Sequence, residues 1–163
     1  MKKTVLTIGM AMFLCAGLGV DAADWRKTGS DGEKLKNLVA AVPGTSHWMF
    51  EIGERYKNLY WAAKQAKWEF ANYQLEEIEK LVQLVQLTRP KRAETAQQFL
   101  DSGIPQMHKG LQTREWEGFK ASFNNLSAAC MRCHVQNDHG FIVLPSEPKG
   151  ASSPVLNLEM EAD

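Results

Sequence analysis

Trp116, Phe119, Phe123, Leu126, Cys130 and His134 recur at the three- and four-residue spacing of one helix face, and the stripe ends in Cys130-Met131-Arg132-Cys133-His134. A stripe of that period commits the segment to a helix. It also sets two thiols one helical turn apart, with an imidazole directly after the second. Two cysteines three apart followed by a histidine form the C-x-x-C-H pattern by which haem is held covalently. Each thiol adds across one vinyl group of the porphyrin, and a spacing of one turn lets both sulfurs reach the same porphyrin edge. His134 then offers an imidazole nitrogen to the iron as proximal ligand.

Other chemistries of such a pair fit less well. A thioredoxin-like C-x-x-C needs a β-α-β setting, and the surrounding pattern is helical. A structural zinc site needs a second ligand pair at similar spacing, and no other Cys-rich or His-x-x-x-His pair occurs. A plain pair of structural thiols is the remaining alternative. One covalent haem c is the expectation, with Cys130 and Cys133 as its thioether residues.

The N-terminus reads as a secretory leader. Lys2 and Lys3 give the basic start, residues 5 to 20 form a short apolar run, and Val20-Asp21-Ala22 supplies the small-residue cleavage pattern. The run is too short and wrongly flanked for a membrane anchor. Cys15 lies inside it and is expected to leave with the leader, residues 1 to 22. The mature chain then starts near Ala23 and keeps only the two motif cysteines. Export agrees with the motif, because c-type haem is attached on the outer face of the bacterial inner membrane. A periplasmic location follows as the expectation, with no membrane anchor after cleavage.

About 140 residues then remain, enough for one core. The full chain carries 19 basic and 19 acidic residues; losing Lys2, Lys3 and Asp21 leaves 17 against 18. This near-neutral balance, without a basic stripe, argues against a nucleic-acid partner.

Residues 23 to 46 read as a lead-in with a short amphipathic stretch carrying Leu35, Leu38, Val39 and Val42, broken by Pro43-Gly44. Thr45 or Ser46 is placed to cap a first long helix over residues 47 to 65, whose apolar face is Met49, Ile52, Tyr56, Leu59, Tyr60 and Ala63. A second helix is expected over 68 to 87, on the stripe Phe70, Ala71, Leu75, Ile78, Leu81, Val82 and Val85. No Gly or Pro marks the 64 to 67 junction, so a turn there is inferred from the change of face, and one continuous helix stays open. Arg89-Pro90 ends that segment. A third helix starts near Lys91, with a kink or break expected at Ser102-Gly103-Ile104-Pro105. Thr113 is expected to cap the fourth, which Asn137 to Gly140 closes. The stretch from Pro145 to Asp163 is polar and contains Pro and Ser, so it is expected to be disordered.

Four amphipathic helices with short links point to an all-α fold, an antiparallel four-helix bundle with a short N-terminal helix, the haem domain spanning residues 47 to 144 and a tail over 145 to 163. In an up-down-up-down order the end of the fourth helix lies beside the start of the first. That start holds His47, Trp48 and Met49, which nominates Met49 for the other face of the haem.

The stretch Trp116-Glu117-Gly118-Phe119-Lys120-Ala121-Ser122-Phe123, with Leu126 and Ala129-Cys130-Met131-Arg132-Cys133-His134 after it, is similar to the last helix of cytochrome c-prime. The pattern Met49-Phe50-Glu51-Ile52-Gly53-Glu54-Arg55-Tyr56 and the ending His139-Gly140-Phe141-Ile142-Val143 resemble exported monohaem proteins of the same build. The resemblance implies a four-helix cytochrome. Members of the c-prime group commonly leave the sixth iron position empty, whereas a soluble b-type relative fills it with a methionine early in its first helix, where this chain has Met49. The long segment before the first helix and the apolar tail depart from cytochrome c-prime.

Each further candidate has a plainer role to set beside it. A methionine on an apolar face is usually core packing, although a thioether is a common partner to His in electron-transfer haems. His47 suits a helix cap or a haem propionate, and His108 a structural place on the third helix. His139 suits the chain reversal at Gly140 more than a propionate. Arg55 and Arg132 are placed for propionates or for solvent. Trp48, Tyr56, Trp61 and Trp68 read as packing. No Asp or Glu pairing suggests a general acid and base, so an enzyme is not expected. The expectation is a periplasmic monohaem electron carrier exchanging electrons with redox partner proteins that leave no mark in the sequence. A five-coordinate protein that binds small gases is the alternative, and a homodimer is left open.

Overall fold

The computed structural model describes residues 24–150. The expected leader, Cys15 and residues 151–163 lie outside them. The described residues are all-α, with no strand among them, and no helix of theirs is long and apolar enough to cross a membrane. The chain divides into two compact units, Met1–Ala41 and Val42–Asp163.

The first unit holds α1 (Trp25–Thr28) and α2 (Asp31–Ala41). A capping box starts α2. Ser30 N–H donates to Glu33 Oε2 at 2.9 Å, and Glu33 N–H donates to Ser30 Oγ at 3.3 Å. Leu35, Leu38 and Val39 are exposed.

The second unit contains α3 (Thr45–Lys64), α4 (Trp68–Thr88), a 3-10 turn (Pro90–Arg92), α5 (Ala93–Gln112) and α6 (Trp116–Gln136). Gly44 precedes α3 without any side-chain cap, so neither Thr45 nor Ser46 plays the part expected of it. Arg89 closes this end instead, donating to the carbonyls of Val42 and Pro43. The turn after α3 is real although it has no Gly or Pro. Ala66 takes a left-handed φ of 55°, and the N–H groups of Ala66 and Lys67 close onto the carbonyls of Ala63 and Ala62 at 2.9 and 2.8 Å. A methyl side chain tolerates that conformation at modest cost, which is why composition alone does not flag the turn.

Two expectations about the third and fourth helices are corrected. Pro105 lies inside α5, which runs to Gln112 without the break that is one of the two expected outcomes; Phe99, Ile104, Met107 and Leu111 are all anchored in the core. Packing there outweighs the hydrogen bond that proline removes. Thr113 does not cap α6; its hydroxyl donates to Gly110 O at 2.8 Å and accepts from Glu115 N–H at 3.3 Å, fastening the turn. Glu115 precedes α6 with no side-chain cap.

Successive helices pack on one another, α3 on α4, α4 on α5 and α5 on α6, around one core. Leu59, Leu75, Ile78, Met107, Phe119, Phe123 and Leu126 are fully buried in it. Each such side chain contributes about 1.5–3 kcal/mol over leaving it in water. An aromatic seam joins α3 to α6. Tyr56 stacks on Phe123 with centroids 4.4 Å apart, and Tyr60 meets Trp116 edge-on at 5.3 Å. Tyr60 also packs on Phe123, with centroids 5.2 Å apart.

The tail departs from expectation over its first residues. Tyr56 Oη donates to Pro145 O at 2.8 Å, Trp61 Nε1 donates to Pro148 O at 3.1 Å, and Lys120 pairs with Glu147 at 3.0 Å. A polar composition with prolines reads as disorder, but each proline carbonyl here accepts from a side chain on α3.

Gly110 lets α5 approach α6. A Cβ built there falls 2.4 Å from Ser122 Cβ and 3.2 Å from the Gly118 carbonyl. Gly110→Ala is therefore expected to destabilise the protein by about 1–3 kcal/mol, as overpacking does. Urea unfolding followed by circular dichroism checks this; an unchanged midpoint counts against the close approach.

Candidate functional site

The end of α6 carries the motif, and one helical turn gives its thiols different surroundings. Cys130 is buried in the core beside α3 residues, while Cys133 is half-buried; both are free thiols. Burial, with Cys133 as a lesser influence, pushes the Cys130 thiol up to about 12, so it stays protonated at neutral pH. Cys133 faces α5 through Asn137, whose Nδ2 donates to Cys133 O at 2.8 Å and Thr95 Oγ1 at 2.8 Å and lies 3.7 Å from Cys133 Sγ.

His134 is half-buried, and its Nδ1 sits 2.8 Å from the Ile142 carbonyl oxygen. A carbonyl can only accept, so Nδ1 carries the proton. In its neutral form the ring then presents its lone pair at Nε2, the state that a metal-binding imidazole needs. The chain reversal that delivers Ile142 is built locally. Asp138 takes a φ of 63°, His139 N–H donates to His134 O at 2.8 Å, and Ile142 N–H donates to His139 O at 2.9 Å. The segment is fastened further on. Ser127 Oγ donates to Leu144 O at 3.2 Å, and Leu144 N–H points at Met131 Sδ at 3.4 Å.

Met49 lies on α3 and packs, half-buried, against the core. It is two turns before Tyr56, and Cys130 is two turns after Phe123, the ring that Tyr56 stacks on. Each is therefore about 10 Å along its own helix from that stack. Beside Met49, the indole Nε1 of Trp48 is buried and has no hydrogen-bond partner among the described residues. An orphaned buried N–H costs about 1–3 kcal/mol, which a bound acceptor would remove.

The other candidates take structural places. His139 serves the reversal, its Nδ1 against Asn137 O and its ring stacked with Phe141. His108 stands beside Glu79 of α4 at 3.8 Å, ten residues beyond Gln98, which touches Gln136 of α6; that is about 15 Å along α5. His47 is exposed, with its ring edge against Trp48. Arg55 is engaged by Glu51 at 2.9 Å, Glu77 at 3.9 Å and the Tyr73 ring. Arg132 is exposed. Sequence reasoning missed Ile142, because the group that orients His134 is a backbone carbonyl. The apolar run after Gly140 was its only trace.

The donor set suits haem. Two free thiols one turn apart and one imidazole with Nε2 available are the side chains that a covalently tethered porphyrin requires, and Trp48 Nε1 is a donor awaiting an acceptor. Among the described residues no group of three or more His, Cys, Asp or Glu side chains is arranged to hold a bare metal ion. A porphyrin iron takes its equatorial donors from the ring and needs only axial ones from protein. No protein-family model, curated protein or solved structure matches this chain.

The two thiols should differ in reactivity. In chain prepared without haem, iodoacetamide at pH 8 is expected to alkylate Cys133 at least about tenfold faster than Cys130, because the raised thiol presents little thiolate and is enclosed. The Cys130 rate should keep climbing towards pH 12. Peptide mass mapping reads both; equal rates would place Cys130 outside the core.

Proposed function

We propose that the chain is an exported, periplasmic monohaem c-type cytochrome that carries electrons between redox partner proteins, rather than an enzyme. Its helices α3 to α6 form an antiparallel four-helix bundle, a reading supported by the reversed order of the Tyr56–Phe123 and Tyr60–Trp116 pairs. The observation that carries the function is the end of α6, where Cys130, Cys133 and an Nδ1-tethered His134 lie together. Bound haem supplies a one-electron iron couple.

The residues divide the work. Cys130 and Cys133 hold one porphyrin edge by thioethers. His134, its ring fixed by the Ile142 carbonyl, would present Nε2 as the proximal ligand. In the antiparallel arrangement Met49 comes level with the motif and would serve as the sixth ligand; its thioether would raise the reduction potential and close the iron to outside ligands.

A five-coordinate, gas-binding protein is the second reading, and the Trp48 indole favours it. A buried N–H next to Met49 gives a small polar ligand a hydrogen-bond donor. Then Met49 would only pack.

The exported protein is expected to give a c-type pyridine haemochrome and a mass raised by one haem. Both signatures should be lost in the Cys130→Ala/Cys133→Ala double variant. The ferric protein is expected to be low-spin, turning high-spin in Met49→Ala. A wild-type high-spin spectrum, with carbon monoxide binding that Met49→Ala leaves unchanged, assigns the protein to the second reading.

A further inference from the structure

A cleft of about 590 Å³ opens where the helices end, lined by Thr45, Arg89, Lys91, Arg92, Asn137 and Asp138 among others. Its charge is lopsided, three cations against Asp138. Arg89 spends its donors on the carbonyls of Thr88, Val42 and Pro43 but keeps its positive charge there. Lys91 is exposed and Arg92 half-exposed, and neither side chain has a carboxylate partner among the described residues. Unpaired cations facing one opening attract anions over roughly a Debye length, about 8–10 Å, even though the whole chain is close to neutral.

The cleft is also next to the motif. Asn137, on its wall, holds its side-chain nitrogen 3.7 Å from Cys133 Sγ. A thioether at Cys133 would put the former vinyl carbon one bond from that sulfur and the porphyrin ring two bonds away, so the covalent tether would bring the haem edge to this wall.

We propose that this cleft is where the protein docks its redox partner, a protein presenting a patch of Asp and Glu side chains to Lys91, Arg92 and Arg89, and that electrons cross at the Cys133 edge. This rests on the haem reading. The spread of the cations around one opening favours an acidic surface over a single small anion. One electron leaves the ferrous iron and is taken up by the oxidised partner, with no bond made or broken.

The experiment uses the holoprotein and two cyanide complexes. Hexacyanochromate(III), a redox-inert paramagnetic anion, is expected to broaden the NMR amide signals of residues 88–92 and 136–138. Lys91→Glu/Arg92→Glu should abolish this. Stopped-flow oxidation of the ferrous protein by ferricyanide should slow about tenfold in that variant, while oxidation by cationic tris(phenanthroline)cobalt(III) should not slow. Circular dichroism and the single variant Lys91→Glu, at an exposed site, guard against misfolding as the cause. Broadening elsewhere, broadening that survives the double variant, or equal responses to both oxidants would overturn the proposal. So would inorganic phosphate displacing the chromium probe at matched ionic strength, which would mark a small-anion site. A chain without covalent haem overturns the haem reading, and this one with it; the haemochrome spectrum reports that separately.

Discussion

The hydrogen bond between His134 Nδ1 and the Ile142 carbonyl ties the chemistry of this chain to its architecture. One residue's ring and another's backbone, eight positions apart, must meet across a tight reversal, and the reversal exists only because Asp138 accepts a left-handed φ and His139 N–H closes onto His134 O. The imidazole would otherwise be free to rotate and to choose either tautomer. Tied down, it offers Nε2 alone. Everything after Gly140 follows from the same constraint, since a chain returned to α6 at Ile142 is delivered to Ser127, Met131, Tyr56 and Trp61 in turn.

That returning segment is held differently from the helices. Its anchors are mostly single hydrogen bonds from side chains to carbonyls, each worth about 0.5–1.5 kcal/mol net, joined by the Lys120–Glu147 ion pair and the packing of Leu144 against the core. Phe141, Ile142 and Val143 remain exposed, although they are apolar. The helices are held by burial, with the aromatic seam from Trp116 to Phe123 at its densest part. Stability therefore falls off towards the end of α6, where the motif lies, and local opening there costs less than opening the core.

Helical periodicity made most of the fold legible. The stripes of α3, α4 and α6 alternate as the 3.6-residue repeat requires, and the side chains they nominate from Ile52 to Leu126 are buried, Phe70 and Trp116 only in part. Boundaries were less legible, because helix ends answer to capping and turn geometry that several residue types satisfy. Ala66 turns the chain without being Gly, Arg89 closes the start of α3 from a distant helix, and Thr113 secures a loop in place of a cap. Pro105 misled for a related reason. Its local cost is visible in the sequence, while the core contacts that outweigh it come from other helices.

The motif and its neighbours split along the same line. Cys130, Cys133 and His134 are read from spacing, since they lie within two turns of one helix. Met49 needed the topology as well as the spacing, since it lies on a different helix from the motif. Trp48 and the basic cleft were beyond reach from sequence. An orphaned indole N–H is defined by what is missing around it, and although Arg89, Lys91 and Arg92 stand together in the sequence, only the fold brings the end of α6, with the motif, beside them. A near-neutral total charge hides such a field, because screening confines each charge's influence to its own neighbourhood. Under the proposed electron exchange at one edge, the charges around that edge would govern encounter, and the average over the whole surface would not.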